Sequence, residues 1–453
     1  MLKIKHSVII ISLIVGGCSS HSGFEKYPYK TLEQTYPENS NYNINTQWWT
    51  AYNDNDLNQI VNIAIKNNID LAESAIRVNQ ALYQANLLGA DLVPTFSSSL
   101  GASANKNIKT GSASTRNFNG SIGISYEIDL WQRLADSVDA QQWKYQATQQ
   151  DKEETKLALI NNVIDTYFNL KYLNETYQLN QQNLKNYQQI YQITNKKFAA
   201  GLISNLDVIQ SQQSITATEN TLNSLALQIK NQEVTLKNLL NYQPKDNFNF
   251  STRSLLDIHL LGVDLTVPVS TIANRPDLKA KEYTLLSAFK DKQAVEKSMY
   301  PSVTLGSTLS SSSDKLRSTF NVPVLSGNIN ISLPFLDWNR IKWNSKISES
   351  QFNLAKLDFE KNITTALNEV DSYYFTYVNY QQNYDNIQKQ YKESLKIEQY
   401  YKIRYQQGIN EMIDWLNAIQ AVNNNKQAII QSKYQLLSSE NKVYQAMAGK
   451  YNK

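Results

Sequence analysis

Gly120 to Leu134 reads GSIGISYEIDLWQRL, and Gly327 to Ile341 reads GNINISLPFLDWNRI. Gly120, Ile124, Trp131 and Arg133 recur as Gly327, Ile331, Trp338 and Arg340, each 207 positions further on. The same offset takes Asp70 to Asp277, Pro94 to Pro301, Tyr167 and Phe168 to Tyr374 and Phe375, Gly201 to Gly408, and Asp207 to Asp414, with no insertion. A register kept over that span marks a tandem duplication, so the two halves are expected to share one fold.

From Ser121 to Leu130 apolar and polar residues alternate. Ile122, Ile124, Tyr126, Ile128 and Leu130 fall on one face; Ser121, Gly123, Ser125, Glu127 and Asp129 fall on the other. That is a strand with one apolar and one wet side. Its copy sets Ile329, Ile331, Leu333 and Phe335 against Asn328, Asn330 and Ser332, with Pro334 suited to a strand end. A strand is expected before each, with Phe96, Ser98, Leu100 and Ala102 on one face after Pro94, and Val303, Leu305, Ser307 and Leu309 on one face after Pro301. Runs of about 9–11 residues suit tilted strands that cross a bilayer. The stretches Asn105 to Asn119 and Ser311 to Ser326, rich in Ser, Asn, Lys and Gly, are expected to be solvent-facing loops.

Neither glycine nor proline occurs from Ile124 to Ala200, from Leu202 to Tyr242 or from Ile409 to Ala448, and from Phe335 to Gln407 there is again none. Each half therefore predicts a helix of about 60 residues or more, roughly 90–100 Å long, then Gly201 or Gly408, then a second long helix returning. Val370, Tyr373, Tyr377, Tyr380, Tyr384, Ile387 and Tyr391 step by three and four, and Val163, Leu170, Leu173, Tyr177 and Leu184 keep the same register in the first half. This is a coiled-coil seam, which by itself implies packing and no function.

Lys3 and Lys5 precede an apolar run from Val8 to Val15, too short to span a membrane and of the form of a signal peptide. Val15-Gly16-Gly17-Cys18 resembles the lipobox of bacterial lipoproteins, in which the cysteine becomes acylated. Cys18 is the only cysteine, so disulfides and thiolate metal sites are excluded. Ser19 and Ser20 follow where an aspartate would retain a lipoprotein at the inner membrane, which by analogy favours the outer one. The expected division is a signal peptide over 1–17, a lipidated tether over 18–47, a first repeat over 48–240, a connector over 241–270 and a second repeat over 271–453. Within the first repeat, Leu57, Ile60, Ile63, Ala64 and Leu71 are helically spaced after a start that Asp54 or Asp56 could cap.

Only helices and closed barrels cross hydrocarbon, and four strands cannot close one. Copies of the chain must pool their strands: three would give twelve and two would give eight. The expected class is an α+β membrane protein with a shared β-barrel, four strands per chain, continued by long coiled-coil helices on one side.

The chain resembles the TolC-like outer-membrane factors, in the lipidated branch that serves resistance-nodulation-division efflux pumps. The resemblance spans essentially the whole mature chain. It is carried by WWTAYNDNDL, SYEIDLWQR, NRPDL at Asn274 to Leu278, YPSVTL at Tyr300 to Leu305, and the hairpin tips FAAGLISNLDVIQSQ (Phe198 to Gln212) and YQQGINEMIDWLNAIQ (Tyr405 to Gln420). It implies a homotrimer with a twelve-stranded barrel embedded in outer-membrane lipid, and a periplasmic helical tunnel closed at its inner end. That end would open when a periplasmic adaptor and an inner-membrane transporter dock.

The resemblance also implies a gate at the tips, with Gly201 and Gly408 taking the turns and Tyr405 and Asp414 matching a family tyrosine and aspartate. The family's arginine position is Asn410 here and a second aspartate position is Asn417, so a ring from Asp414 is expected in place of the usual closing salt bridge. Asp207 and Asp414 also suit the first turn of a helix with no further role.

The formal net charge of +4 falls to +2 without Lys3 and Lys5, which gives no basis for nucleic-acid binding. No nucleophile elbow, phosphate loop or paired metal-ligand motif occurs, so neither catalysis, a metal site nor a cofactor is expected. A trimeric adhesin or structural coiled coil would also have long helices, but would not place a strand pair before each helical hairpin. The cargo stays open: drugs, solvents, metal ions and siderophores are all compatible.

Overall fold

A computed structural model of the chain describes residues 30–36, 43–111, 113–248, 253–264, 266–267 and 269–452. The signal peptide and Cys18 lie outside the described residues. In chain order the elements are α1 (Leu32–Thr35), β1 (Asn43–Asn45), α2 (Asn55–Asn67), α3 (Ile69–Gly89), β2 (Thr95–Asn105), β3 (Thr115–Ile128), α4 (Arg133–Ala199) and α5 (Asn205–Leu240). There follow α6 (Pro276–Lys297), β4 (Ser302–Ser313), β5 (Val324–Ser332), α7 (Trp338–Gln406), α8 (Met412–Ala446) and β6 (Lys450–Asn452). The duplication is visible in the elements, since α3, β2, β3, α4 and α5 recur as α6, β4, β5, α7 and α8.

The four long strands form one antiparallel sheet in the order β2-β3-β4-β5. Its register places Phe96 opposite Ile124, Ile122 opposite Leu309, and Leu305 opposite Ile329, so the apolar residues of all four strands, Val324 at the start of β5 excepted, share one face. The strands are longer than the sequence predicts. β3 starts at Thr115, β4 runs to Ser313 and β5 starts at Val324, inside the stretches expected to be loops. Ladder pairing such as Asn105 with Thr115 and Phe118 with Ser313 satisfies their backbone, and a strand whose side chains face water can be as polar as a loop. Leu130 lies beyond β3, and Leu333 and Phe335 beyond β5.

The strand-to-helix corner is built by the repeated motif. Gln132 takes a left-handed conformation (φ 61°), and the Asp129 carboxylate accepts from the amides of Leu134 (3.1 Å) and Ala135 (2.8 Å), which fixes the first turn of α4. Trp131 Nε1 donates to the Pro301 carbonyl at 2.8 Å, tying this corner to the second repeat.

α4 and α7, of 67 and 69 residues, are each roughly 100 Å long. The returning helices α5 and α8 have 36 and 35 residues and cover about half of that length. The rest is covered by α3 and α6, joined end to end with the returning helices. Asn68, which caps α3, donates Nδ2 to the Leu239 carbonyl at the end of α5. Its equivalent Arg275 donates Nη1 to the Ala446 carbonyl at the end of α8. Asn68 also interrupts the helical spacing that runs through Leu71, so one expected helix is two, α2 and α3, with Asp54 capping the first.

Among the described residues three apolar clusters hold the body. The first gathers Trp48, Tyr52, Leu57, Ile164, Phe168, Leu236 and Leu437; the second, Leu278, Phe289, Phe359, Val370, Tyr377 and Val443; the third lies at the helix tips. Along the seam Val163 and Leu170 and their equivalents Val370 and Tyr377 are all buried, whereas Leu173 is buried and its equivalent Tyr380 is half-buried. β1 and β6 pair, Asn43 with Asn452 and Asn45 with Lys450, and Trp48 Nε1 donates to Asn441 Oδ1 at 3.0 Å, which ties the start of the first repeat to the last helix and strand.

Candidate functional site

The tips of the two helical hairpins are built alike. At the first, the Gly201 amide donates to the Phe198 carbonyl and the Leu202 amide to that of Lys197; at the second, Gly408 donates to Tyr405 and Ile409 to Arg404. This pair of bonds ends a helix when the residue after the cap is left-handed, and Gly201 and Gly408 have φ of 72° and 73°. α5 is then opened by Ser204, whose Oγ accepts from the Leu206 amide.

Asp207 and Asp414 stand in the first turns of α5 and α8, each half-buried. Asp414 is held by a side-chain relay: its Oδ2 accepts from Asn410 Nδ2 at 2.8 Å, and Asn410 Oδ1 accepts from Arg404 Nε. The arginine absent from position 410 is thus present six residues earlier, and the amide carries its influence to the carboxylate. Arg404 also lies over the Tyr400 ring, 5.3 Å from its centre.

Tyr405 bonds not to an aspartate but to Lys197, whose Nζ donates to its hydroxyl at 3.0 Å. The Tyr405 ring stacks on Trp415 with centres 5.4 Å apart, and Trp415 Nε1 donates to Glu398 Oε1 at 2.8 Å. Beneath these, Tyr187, Ile190, Ile215, Met412 and Leu416 form the tip cluster, and Tyr187 donates to Gln420 Oε1 across the two hairpins. Asn417 is exposed on α8. Leu202 and Ile409, equivalent residues of the two turns, are both exposed.

At the other end, the face of the sheet opposite the apolar one carries Ser97, Ser121, Thr308, Ser326, Asn328 and Asn330 among small neutral neighbours. Its one charge, Glu127, is bound to Arg133 at 2.7 Å. Among the described residues, no helix is long and apolar enough to cross a membrane. The sheet is the element with an apolar face for lipid and a wet face for a lumen.

Residues 60–242 and 267–449, one stretch in each half, match the model of the family described as outer membrane efflux protein. The chain belongs to the outer membrane efflux protein family. It is an outer-membrane efflux channel. A curated relative, toxin and drug export protein A of Aggregatibacter actinomycetemcomitans, is 43% identical over 444 residues, which is 98% of this chain and 97% of the relative. The cation efflux system protein CusC of Escherichia coli O6:H1 is 26% identical over 453 residues, 97% of each chain. The solved structure of the Campylobacter jejuni CmeC outer membrane channel superposes with a TM-score of 0.82 at 25% identity, covering 94% of this chain and 90% of that one. The family and its structural neighbours are channels, not enzymes.

Of the tip residues singled out in this outer membrane efflux protein, Tyr405, Gly408 and Asp414 gather at the second tip and Gly201 and Asp207 at the first. Lys197, Arg404 and Trp415 join them at the tips, by contacts that the sequence motifs do not reveal. The duplication held a clue to two: Lys197 and Arg404 are 207 positions apart, both cations in the last turn of a long helix.

Proposed function

We propose that three copies of the chain close one twelve-stranded barrel and one helical tunnel, making a passive exit duct across the outer membrane and periplasm. The observation that carries this is the fate of one duplicated residue: Phe168 on α4 is 0% exposed and its equivalent Phe375 on α7 is 72% exposed. α4 packs against α6 and α8 of the second repeat as well as α3 and α5 of its own. By the repeat relation α7 needs α3 and α5 of a further repeat, which only another copy supplies. A ring of copies buries Phe375 and pairs the free edges of β2 and β5.

In this reading Cys18 is acylated and anchors the mature chain, residues 18–47 tether it, 48–240 and 271–453 are the repeats, and 241–270 is the connector. The tips form the gate. Tyr405 locked to Lys197 closes it, Gly201 and Gly408 shape the turns, Asp414 lines the narrow end with Asn417 beside it, and Asp207 serves contacts between helices. A periplasmic adaptor docks at the tips, whose Leu202 and Ile409 offer apolar contact, and an inner-membrane transporter supplies the cargo. The neutral wall of the barrel suits a duct that does not choose among solutes, in keeping with relatives named for toxin and drug export and for cation efflux.

Conductance in planar bilayers tests the gate. Convergent Asp414 carboxylates favour cations and hold polyvalent ones. Asp414→Asn is expected to bring the cation-to-anion permeability ratio towards one and to weaken block by added polyvalent cations, and Asp207→Asn to change both less. Wild-type selectivity and block in Asp414→Asn would remove Asp414 from the gate.

A further inference from the structure

The hairpin between β4 and β5 folds back against the apolar face of the sheet. Ser311 Oγ donates to the Val322 carbonyl at 3.0 Å, and the Phe320 ring sits over Gly120, where an added Cβ would lie 2.8 Å from it. Gly120 and Ser311 are register partners, and Gly120 faces Leu100 on its other side, so this contact is on the face that carries Ile122 and Leu309. Thr319 is buried and its Oγ1 donates to the Lys315 and Leu316 carbonyls.

What this hairpin shows outward is apolar and cationic together. Leu316, Phe320 and Val322 are 71%, 67% and 71% exposed. Lys315 and Arg317 flank Leu316, Arg116 lies on the same face of β3 opposite Ala104, and Lys106 and Lys109 are on the neighbouring hairpin beside the exposed Ile108. Across 105–119 and 311–326 these five cations meet one carboxylate, Asp314.

We propose that this rim is a binding surface for outer-leaflet lipid with phosphates on its head group. Leu316, Phe320 and Val322 enter the acyl region, and Lys315, Arg317 and Arg116 take the phosphates. Guanidinium and ammonium groups at an apolar edge suit a phosphorylated amphiphile, because each phosphate gains charge-assisted hydrogen bonds while its chains stay out of water. A zwitterionic surface would leave the excess of cations uncompensated. The proposal rests on the reading of the apolar face as lipid-facing.

The test titrates the full-length protein, in neutral detergent, with diphosphoryl lipid A and with the same lipid after dephosphorylation. The wild-type chain is expected to bind the phosphorylated lipid at least about tenfold more tightly, and Lys315→Ala with Arg317→Ala to lose most of that difference while binding the dephosphorylated lipid as before. Equal affinity of the wild type for the two lipids overturns the proposal without recourse to any variant, as does an unchanged preference in the double variant. Displacement by inorganic phosphate alone would also overturn it, since the site would then read phosphate without lipid. Conductance of Lys197→Met, in which the tip lock is released, in neutral-lipid bilayers separates the failures: a variant that conducts although its parent does not discriminate between the lipids sinks the lipid site alone, and one that does not conduct sinks the channel reading beneath it.

Discussion

Lys197 at the end of the first long helix donates to the Tyr405 hydroxyl at the end of the second, 3.0 Å across the two repeats, with its ammonium 4.3 Å from the centre of the same ring. This cation joins the two hairpin tips of a chain at their ends, beyond the Tyr187–Gln420 bond and the apolar cluster that also link them. A charge-assisted hydrogen bond contributes about 1.5–3 kcal/mol, enough to shift a gate between mostly closed and mostly open.

Lys197→Met and Tyr405→Phe are each expected to raise the resting conductance in planar bilayers. Because both remove the same bond, the double variant should conduct little more than either single one. Additive increases would mean that the two residues act separately.

Gly201 and Gly408 have nothing within 4 Å of an added Cβ, so substitution there meets only the left-handed backbone. Alanine at either should cost about 1 kcal/mol locally, read as several-fold faster amide exchange in the tip turns with the upper helices unchanged. Asparagine, which tolerates this conformation, should cost less. Equal exchange in wild type and alanine variants would contradict the strain.

Glu440 of α8 is 0% exposed, accepts from the Gly262 amide at 2.6 Å and the Tyr52 hydroxyl at 3.0 Å, and so ties the connector and the first repeat to the last helix. Burial raises its pKa above 4.5, against the lowering effect of these bonds. The same burial, reinforced by the Glu440 charge, raises the Tyr52 hydroxyl, which stays a donor. An acid whose folded pKa is raised binds its proton more tightly when folded. Its contribution is therefore most favourable below about pH 4.5 and is lost as pH rises through the folded value. Glu440→Gln should accordingly raise the melting temperature at neutral pH, with the gain shrinking towards pH 4.5. A gain independent of pH, or a loss at pH 7, would contradict a burial-dominated carboxyl.

Much of this architecture is legible in the sequence, and the parts that are not share a cause. The runs without glycine or proline on either side of Gly201 and of Gly408 mark the long helices because a helix of 67 residues tolerates no breaker. Alternation locates the sheet but not its ends, since β4 continues through four serines, Ser310 to Ser313, where both faces are polar and serine suits strand and loop alike. Asn68 ends one helix and caps the next while joining Leu239, a partner 171 residues away that no local pattern reveals. The tip turns follow from glycine, whereas Lys197–Tyr405 and the Arg404–Asn410–Asp414 relay depend on how the hairpins are set side by side. Phe375 looks like Phe168 in sequence, and only the packing shows that one chain leaves it uncovered.

The mass of the purified protein in detergent tests the central claim, that this chain is an incomplete wall which copies of itself complete. Native mass spectrometry of the wild type is expected to give three chains, with Phe375 covered and the edges of β2 and β5 joined between neighbours. A stable single chain that still conducts would contradict the shared barrel and the duct built upon it.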